Sequence, residues 1–137
     1  MEDLKGKSVS IGAAGSGTYF NAIDVLSAAG ITLKDIHPQY QSFEDSKESL
    51  KDGKIDAAFI VAGAPTTAIT ELATTNGVYL LNIDGALRDE IMSECPYYTA
   101  LEIPAGTYPG QDAPVETITV KATIIVSADL PEDTVYR

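Results

Sequence analysis

The stretch SVSIGAAGSGTYF, residues 8–20, decides the fold that the rest of the chain completes. Residues 8–11 are short and apolar enough for a strand, and residues 12–18 form a turn rich in glycine and hydroxyl side chains. Apolar residues then recur at helical spacing, which predicts an amphipathic helix after the turn. The stripe of that helix is Phe20, Ile23 and Leu26. Strand, glycine-rich turn and helix in this order open a βαβ unit.

The same alternation of strands and helices continues along the chain. Residues 55–61 are a nearly continuous apolar run, which predicts a central strand covered on both faces. Pro65 follows, and proline is typical of the first position of a helix. Residues 78–81 predict a further short strand, and residues 116–127 predict a long last strand. We therefore expect an α/β fold, with a largely parallel or mixed sheet flanked by helices.

Composition excludes several classes of function. A length of 137 residues indicates one domain. The chain has 9 Lys and Arg against 20 Asp and Glu, a net charge of −11, so binding to nucleic acid or to anionic lipid is disfavoured. A single Cys excludes an internal disulfide and a Cys-rich zinc site. The acidic start MEDLK differs from the basic start of a signal peptide, and no apolar run approaches the ~20 residues of a membrane span.

Two turns are candidates for binding a ligand, because each follows a predicted strand and opens a predicted helix. Unpaired N–H groups in the first turn of a helix suit a carboxylate or a phosphate. The candidate residues are Gly15, Ser16, Gly17 and Thr18 in the first turn, Ala62, Gly63 and Pro65 in the second, and Tyr108 in a later loop. Neither turn contains Lys or Arg, so an anion there would be held by backbone groups. The alternative is that both are ordinary strand-to-helix turns without a ligand.

Known cofactor motifs do not fit the first turn. A phosphate-binding P-loop needs Lys followed by Ser or Thr after its second Gly, where this chain has Thr18 and Tyr19. A dinucleotide-binding fingerprint needs Gly where Phe20 stands. Ser16 is not surrounded by the Gly-x-Ser-x-Gly pattern of a nucleophile, and no carboxylate pair or His and Cys constellation stands out. We predict no enzymatic activity, no cofactor and no metal site.

Five stretches together resemble one branch of solute receptors. They are EDLKGKSVSIG at 2–12, GSGT at 15–18, LKDGKIDAAF at 50–59, AGAP at 62–65 and IPAGTYPGQ at 103–111. The first resembles the entry to the second lobe of type II periplasmic binding proteins. Together they look like the TAXI family of TRAP transporter receptors (TRAP-associated extracytoplasmic immunogenic proteins). The resemblance runs over nearly the whole chain, with its motifs in order.

This resemblance implies a receptor outside the cytoplasm, either periplasmic or otherwise extracytoplasmic. Such a receptor passes a small carboxylate, such as glutamate, to the membrane subunits of a sodium-coupled TRAP transporter. Its ligand lies in a cleft between two α/β lobes. The residues that the resemblance places in this cleft are Ser16, Gly17, Thr18, Ala62, Gly63, Pro65 and Tyr108. Regulator effector domains and some transferase lobes share the fold and are the alternative.

The resemblance also implies that residues 1–137 are part of a longer protein with a first lobe and a signal segment. Residues 1–115 would be the second lobe. Residues 116–137 would be the return crossover strand and the start of a truncated helix. Without the first lobe, the apolar face of the last strand would be uncovered, which favours a domain-swapped homodimer of this chain.

Overall fold

The computed structural model describes residues 1–135. A short 3-10 helix, Glu2–Leu4, comes before the main elements. In chain order these are β1 Ser8–Ser10, α1 Gly17–Ala28, β2 His37–Gln39, α2 Phe43–Lys51, β3 Ala57–Ala58, α3 Thr67–Thr75, α4 Gly85–Glu94, β4 Tyr98–Ile103, β5 Val115–Val120 and α5 Glu132–Val135. This architecture, with a parallel sheet flanked by helices, confirms the expected α/β class.

The parallel sheet has the strand order β2-β1-β3, so β1 lies in the middle. In register, Val9 of β1 is opposite Pro38 of β2 and Ala57 of β3. The connection through α1 leads from β1 to β2 on one side, and the connection through α2 leads from β2 to β3 on the other side of β1. Because both crossovers are right-handed and run in opposite directions, α1 and α2 lie on opposite faces of the sheet. On these two faces α4 packs against α1, and α3 packs against α2. The result is a layer of strands between two layers of helices.

A separate antiparallel hairpin completes the fold. Its strands β4 and β5 pair from Tyr98 opposite Val120 to Ile103 opposite Val115. The hairpin is tied to α1 because the Tyr98 hydroxyl donates to the Asp24 carboxylate over 2.8 Å. Burial, and then this hydrogen bond, raises the pKa of Tyr98 above its ordinary value. The hairpin therefore keeps a fixed position against the helix that begins at the first candidate turn.

The core lies on both sides of β1. One cluster of buried side chains surrounds β1 and the inner face of α1, and its members are Leu4, Val9, Ile11, Ala22, Leu26, Ile31 and Ile36. A second cluster joins α1, α4 and β4 through Val25, Ile91 and Tyr98. On the α2 side, the hydroxyls of Ser10 and Ser46 are 2.7 Å apart and both residues are buried. Because Ser46 also donates to the Ser42 carbonyl, this polar pair is satisfied inside the core.

Three expected strands differ from those observed. Within residues 55–61 only Ala57–Ala58 forms a strand, and it lies at the sheet edge rather than at the centre. The expected cover on both faces is also wrong, since only Ile55 of this run is buried and Val61 is 39% exposed. Residues 78–81 form no strand, and Tyr79 is 83% exposed.

The last strand is shorter than expected. Its pairing ends at Val120, where the register with Tyr98 at the start of β4 runs out. Ile118 and Val120 pack against the second core cluster. Beyond them, Ile124 is 92% exposed and Ile125 is 88% exposed. The strand over residues 116–127 is therefore wrong in its second half, because the partner strand has no further residues to pair with.

Two isoleucines should show this difference in burial directly. Ile91→Ala removes a side chain that is 1% exposed and lowers the free energy of unfolding by about 2–4 kcal/mol, since it leaves a cavity. Ile124→Ala makes the same chemical change at a site that is 92% exposed, and its effect stays within about 0.5 kcal/mol. Urea denaturation followed by circular dichroism measures both. Equal losses would mean that residues around Ile124 are covered.

Candidate functional site

Both candidate turns lie at the same edge of the parallel sheet. The first follows β1 and the second follows β3, and these strands are neighbours. From β1 the chain turns towards α1 on one face, whereas β2 leads to α2 on the other face. The strand order therefore changes direction between β1 and β3. Ligands of open α/β sheets bind outside the carboxyl ends of the strands at such a switch point.

The first turn has a defined donor geometry. The Ser16 side chain caps α1, because its Oγ accepts a hydrogen bond from the Tyr19 N–H over 3.2 Å. The N–H groups of Gly17 and Thr18 donate to no acceptor within residues 1–135. Gly15 and Gly17 are exposed, whereas the Thr18 side chain is 8% exposed. Two backbone donors at the positive end of α1 therefore have no acceptor in the described part of the chain, which suits an anion if one reaches them.

Gly12 is needed for the backbone conformation and close packing of this turn. Its φ is +87°, a conformation that side-chain-bearing residues rarely adopt. A Cβ atom at Gly12 would lie 2.8 Å from the Thr18 Cβ, which is too close for two carbon atoms. At Gly17, by contrast, a Cβ would meet nothing within 4 Å. Gly12 is thus required by the fold, and Gly17 leaves open space at the helix start.

The second turn is capped from a distant part of the chain. Helix α3 begins at Thr67 with Thr66 as its N-cap, and the Thr66 side chain makes no capping hydrogen bond. Instead the Thr66 N–H donates to the Tyr108 hydroxyl over 3.0 Å. Pro65 was expected at the first helical position, and this is wrong, since it precedes the cap; the Ala64–Pro65 peptide bond is cis. Ala62 and Gly63 are exposed beside it.

Tyr108 is held in place by the loop between β4 and β5. The ring is 3% exposed, and the loop around it is organised by Gln111. The Gln111 side-chain amide donates to the carbonyls of Ile103, Pro104 and Ala113, and its Oε1 accepts from the Tyr108 N–H. The structure thus brings Tyr108 to the second turn, and the two turns to adjacent strand ends. Gln111 was missed as a positioning residue, because a surface glutamine in a loop carries no sequence signal for such a role.

Lys47 and Arg88, whose side chains are partly shielded from solvent, form ion pairs outside the two candidate turns. Lys47 on α2 binds Glu44 and Glu71, and these hydrogen bonds raise its pKa. Arg88 on α4 binds Glu116 over 2.8 Å. Neither turn of the candidate site contains a basic residue. An anion bound there would be stabilised by N–H groups and helix dipoles.

Aromatic side chains stand beside the first turn. The rings of Tyr19 and Phe20 meet edge to face with centroids 5.2 Å apart, and Tyr19 lies 6.1 Å from Tyr40, which directly follows β2. Phe20 is 58% exposed and Tyr40 is 51% exposed. The placement of Phe20 in the buried stripe of α1 was therefore wrong. Leu26 of the expected stripe is buried together with Ala22 and Val25, so the buried face is rotated away from Phe20.

Residues 1–135 show neither a metal site nor a membrane span. Within them, no group of three or more His, Cys, Asp or Glu side chains is placed to hold a metal ion. None of the helices in this part of the chain has both the length and the apolar character to cross a bilayer.

Comparison with known proteins places the chain in a family. The model of the NMT1-like family matches residues 1–137. The chain belongs to the NMT1-like family. Its members are substrate-binding proteins and not enzymes, which confirms the expectation of no catalytic activity and argues against a transferase lobe. The family is similar to periplasmic binding proteins, which confirms the broader part of the resemblance found in the sequence.

Among solved structures, this NMT1-like chain is similar to the periplasmic aliphatic sulphonate binding protein SsuA from Escherichia coli. The sequence identity is 27% and the TM-score is 0.48. The match covers 57% of this chain and 25% of that one. This chain therefore corresponds to a small part of the length of that protein.

The two glycines of the first turn should differ sharply in their tolerance to substitution. Gly12→Ala places a Cβ against Thr18 at positive φ and lowers the free energy of unfolding by about 1–3 kcal/mol or more. Gly17→Ala enters open space at an ordinary φ and changes it by less than about 1 kcal/mol. Thermal unfolding of both variants measures the difference. A Gly12→Ala variant as stable as the parent would contradict this geometry of the turn.

Proposed function

We propose that this chain is the ligand-binding lobe of a solute receptor that works outside the cytoplasm, and that it holds the anionic group of a small carboxylate. The observation that supports the proposal most is the pair of helix starts at the switch point between β1 and β3. Within residues 1–135, the N–H groups of Gly17, Thr18, Thr67 and Ala68 have no acceptor. Membership in a substrate-binding family supports the same conclusion.

The physical basis is a set of donors that needs no cation. A hydrogen bond from a neutral donor to a charged group contributes about 1.5–3 kcal/mol, roughly twice the contribution of a neutral pair. Each helix start adds a partial positive charge that falls off within one turn. In a chain of net charge −11, a lysine in the cleft would be drawn to neighbouring carboxylates, as Lys47 is to Glu44 and Glu71. Backbone donors cannot be neutralised in that way.

The finer assignment follows the motifs quoted from the sequence. We propose that the chain is a TAXI-type receptor whose ligand is glutamate or a related carboxylate. Its partners would then be the membrane subunits of a TRAP transporter, reached through the full-length receptor. Ser16, Gly17 and Thr18, with Gly15, would line one side of the cleft. Ala62, Gly63 and Pro65 would line the other, and Tyr108, which is buried, would hold that turn in place through Thr66.

We also propose that residues 1–115 are one lobe and that residues 116–137 lead out of it, with residues 116–120 still paired to β4 before the chain leaves the lobe. The extended segment after β5 supports this division, since Ile124 and Ile125 are almost fully exposed. Burial of such exposed isoleucines against another lobe or chain is energetically favourable. In the full receptor this would be the other lobe. A domain-swapped homodimer is the corresponding proposal for the isolated chain.

Gly17→Phe tests the anion site, because a Cβ atom at this position meets nothing within 4 Å, and the amide spectrum of the variant checks that the fold is kept. The ring would cover the N–H groups of Gly17 and Thr18, so affinity for glutamate and acetate should fall at least about tenfold. Lys34→Glu is the charge control, since Lys34 is exposed and lies outside both turns. It should leave the affinity within about twofold once the screening of distant charges is considered.

Titration of the backbone amide signals by nuclear magnetic resonance suits the weak binding expected of one lobe. Binding of carboxylates to the parent chain should move the signals of Gly17 and Thr18. Carboxylate affinity that is unchanged by Gly17→Phe would show that the anion binds elsewhere. A chain to which no carboxylate binds, even at millimolar concentration, would contradict the proposed function itself.

A further inference from the structure

The side chain of Thr18, in the first turn of α1, is buried and yet leaves its hydroxyl without a partner. The residue is 8% exposed, and its Oγ1 makes no hydrogen bond to any atom of residues 1–135. Among the unpartnered side-chain atoms of that part of the chain, only Gln41 Oε1 is shut off from solvent. The Thr18 hydroxyl therefore belongs to the small area of this side chain that solvent reaches.

Threonines elsewhere in the chain use their hydroxyls within their own helix. Thr70, Thr74 and Thr75 of α3 each donate to a carbonyl oxygen one turn earlier, over 2.8–3.0 Å. Thr18 is the second residue of α1, so the residue four positions before it lies outside the helix. Its place at the helix start leaves the hydroxyl without the acceptor that threonines further along a helix use.

Gly12 fixes the direction of the Thr18 side chain. A Cβ atom at Gly12 would lie 2.8 Å from the Thr18 Cβ and 2.9 Å from its Cγ2. The methyl group of Thr18 therefore packs into the space that the glycine leaves, and the hydroxyl is on the other branch. A β-branched side chain has few χ1 rotamers in a helix, so this contact holds the hydroxyl in one direction.

Ser16 supplies a second hydroxyl beside the first. Its Oγ would lie 3.0 Å from the same Cβ atom at Gly12, so the side chains of Ser16 and Thr18 are neighbours. The Ser16 Oγ accepts the Tyr19 N–H and donates to no atom of the described residues. With the N–H groups of Gly17 and Thr18, three consecutive residues carry four donors that have no acceptor in residues 1–135.

We propose that the Thr18 hydroxyl, positioned by Gly12, is a ligand donor, and that the four donors together bind both oxygens of one unsubstituted carboxylate. This inference rests on the proposed function and deepens it, since it adds two side-chain donors to the backbone N–H groups. The two oxygens of a carboxylate offer about four lone-pair sites, which matches the number of donors. A carboxamide replaces one oxygen with an NH2 group, which cannot accept from an N–H, so the site selects free acids.

Preorganisation explains why one hydroxyl would matter for affinity. A hydrogen bond to a charged group is about twice as strong as one between neutral groups. A donor whose rotamer is fixed before binding loses little conformational freedom when the ligand arrives. The contact between Thr18 and Gly12 provides this, because it forms without any ligand.

Two substitutions at Thr18 separate the hydroxyl from the shape of the side chain. Thr18→Val keeps the methyl group against Gly12 and removes the hydroxyl, so affinity for acetate and glutamate should fall about tenfold. Thr18→Ser keeps the hydroxyl, and its affinity should stay within about threefold of the parent chain. Thr99→Val is the matched control, since this exposed threonine of β4 lies outside both turns. Titration of the amide signals by nuclear magnetic resonance measures each affinity.

Two further measurements separate a ligand donor from a hydroxyl that supports the fold. Thermal unfolding of Thr18→Val should match that of the parent, because the lost hydroxyl makes no hydrogen bond in the described chain. Acetamide should leave the signals of Gly17 and Thr18 in place at concentrations where acetate moves them.

The outcomes distinguish this inference from the proposed function. If Gly17→Phe weakens acetate binding and Thr18→Val does not, the proposed function stands and the role of the Thr18 hydroxyl is overturned. It is also overturned if Thr18→Ser binds as weakly as Thr18→Val, if Thr18→Val unfolds at a clearly lower temperature than the parent, or if acetamide binds as well as acetate. If no carboxylate binds to the parent chain, the proposed function fails and this inference falls with it.

Discussion

The rest of the structure depends on one constraint, the burial of β1 between two parallel partners. It is the only strand of the described chain that is paired on both sides in the parallel sheet, and Val9, Ser10 and Ile11 are fully inaccessible to solvent. Helices must therefore cover both faces, and the strand order then changes direction beside β1. The candidate site is a geometric consequence of this arrangement, since the turns after β1 and β3 diverge at the same edge.

The sequence predicts what is encoded locally. The strand, glycine-rich turn and helix of residues 8–28 form as expected, and Gly30 follows α1 with positive φ, as a residue after a helix end does. An apolar run is also a local feature, so residues 55–61 were recognised as strand-like, although only Ala57–Ala58 pairs and only Ile55 is buried. Their position at the sheet edge depends on which strands pair with β1, and the sequence of one apolar run does not determine that pairing.

The site shows the same division between local and distant information. The unpaired donors of Gly17 and Thr18 follow from the turn and the helix beside it, whereas the capping role of Ser16 was found only in the structure. The cap of α3 does not follow from its neighbours, because it comes from Tyr108, 42 residues away, and from the loop that Gln111 organises. Phe20 shows how far apolar spacing can predict burial. The spacing identifies a helix, but a small rotation of α1 about its axis decides that Ala22 is buried and Phe20 is exposed.

The hydrogen bond between Thr66 and Tyr108 has a consequence for how such chains can change. It makes the shape of one candidate turn depend on the length of a loop in a different sheet. An insertion between β4 and β5 would withdraw the phenol from α3 and leave a helix start without its cap. The length of the loop between β4 and β5 is therefore tied to the start of a helix in the other sheet layer.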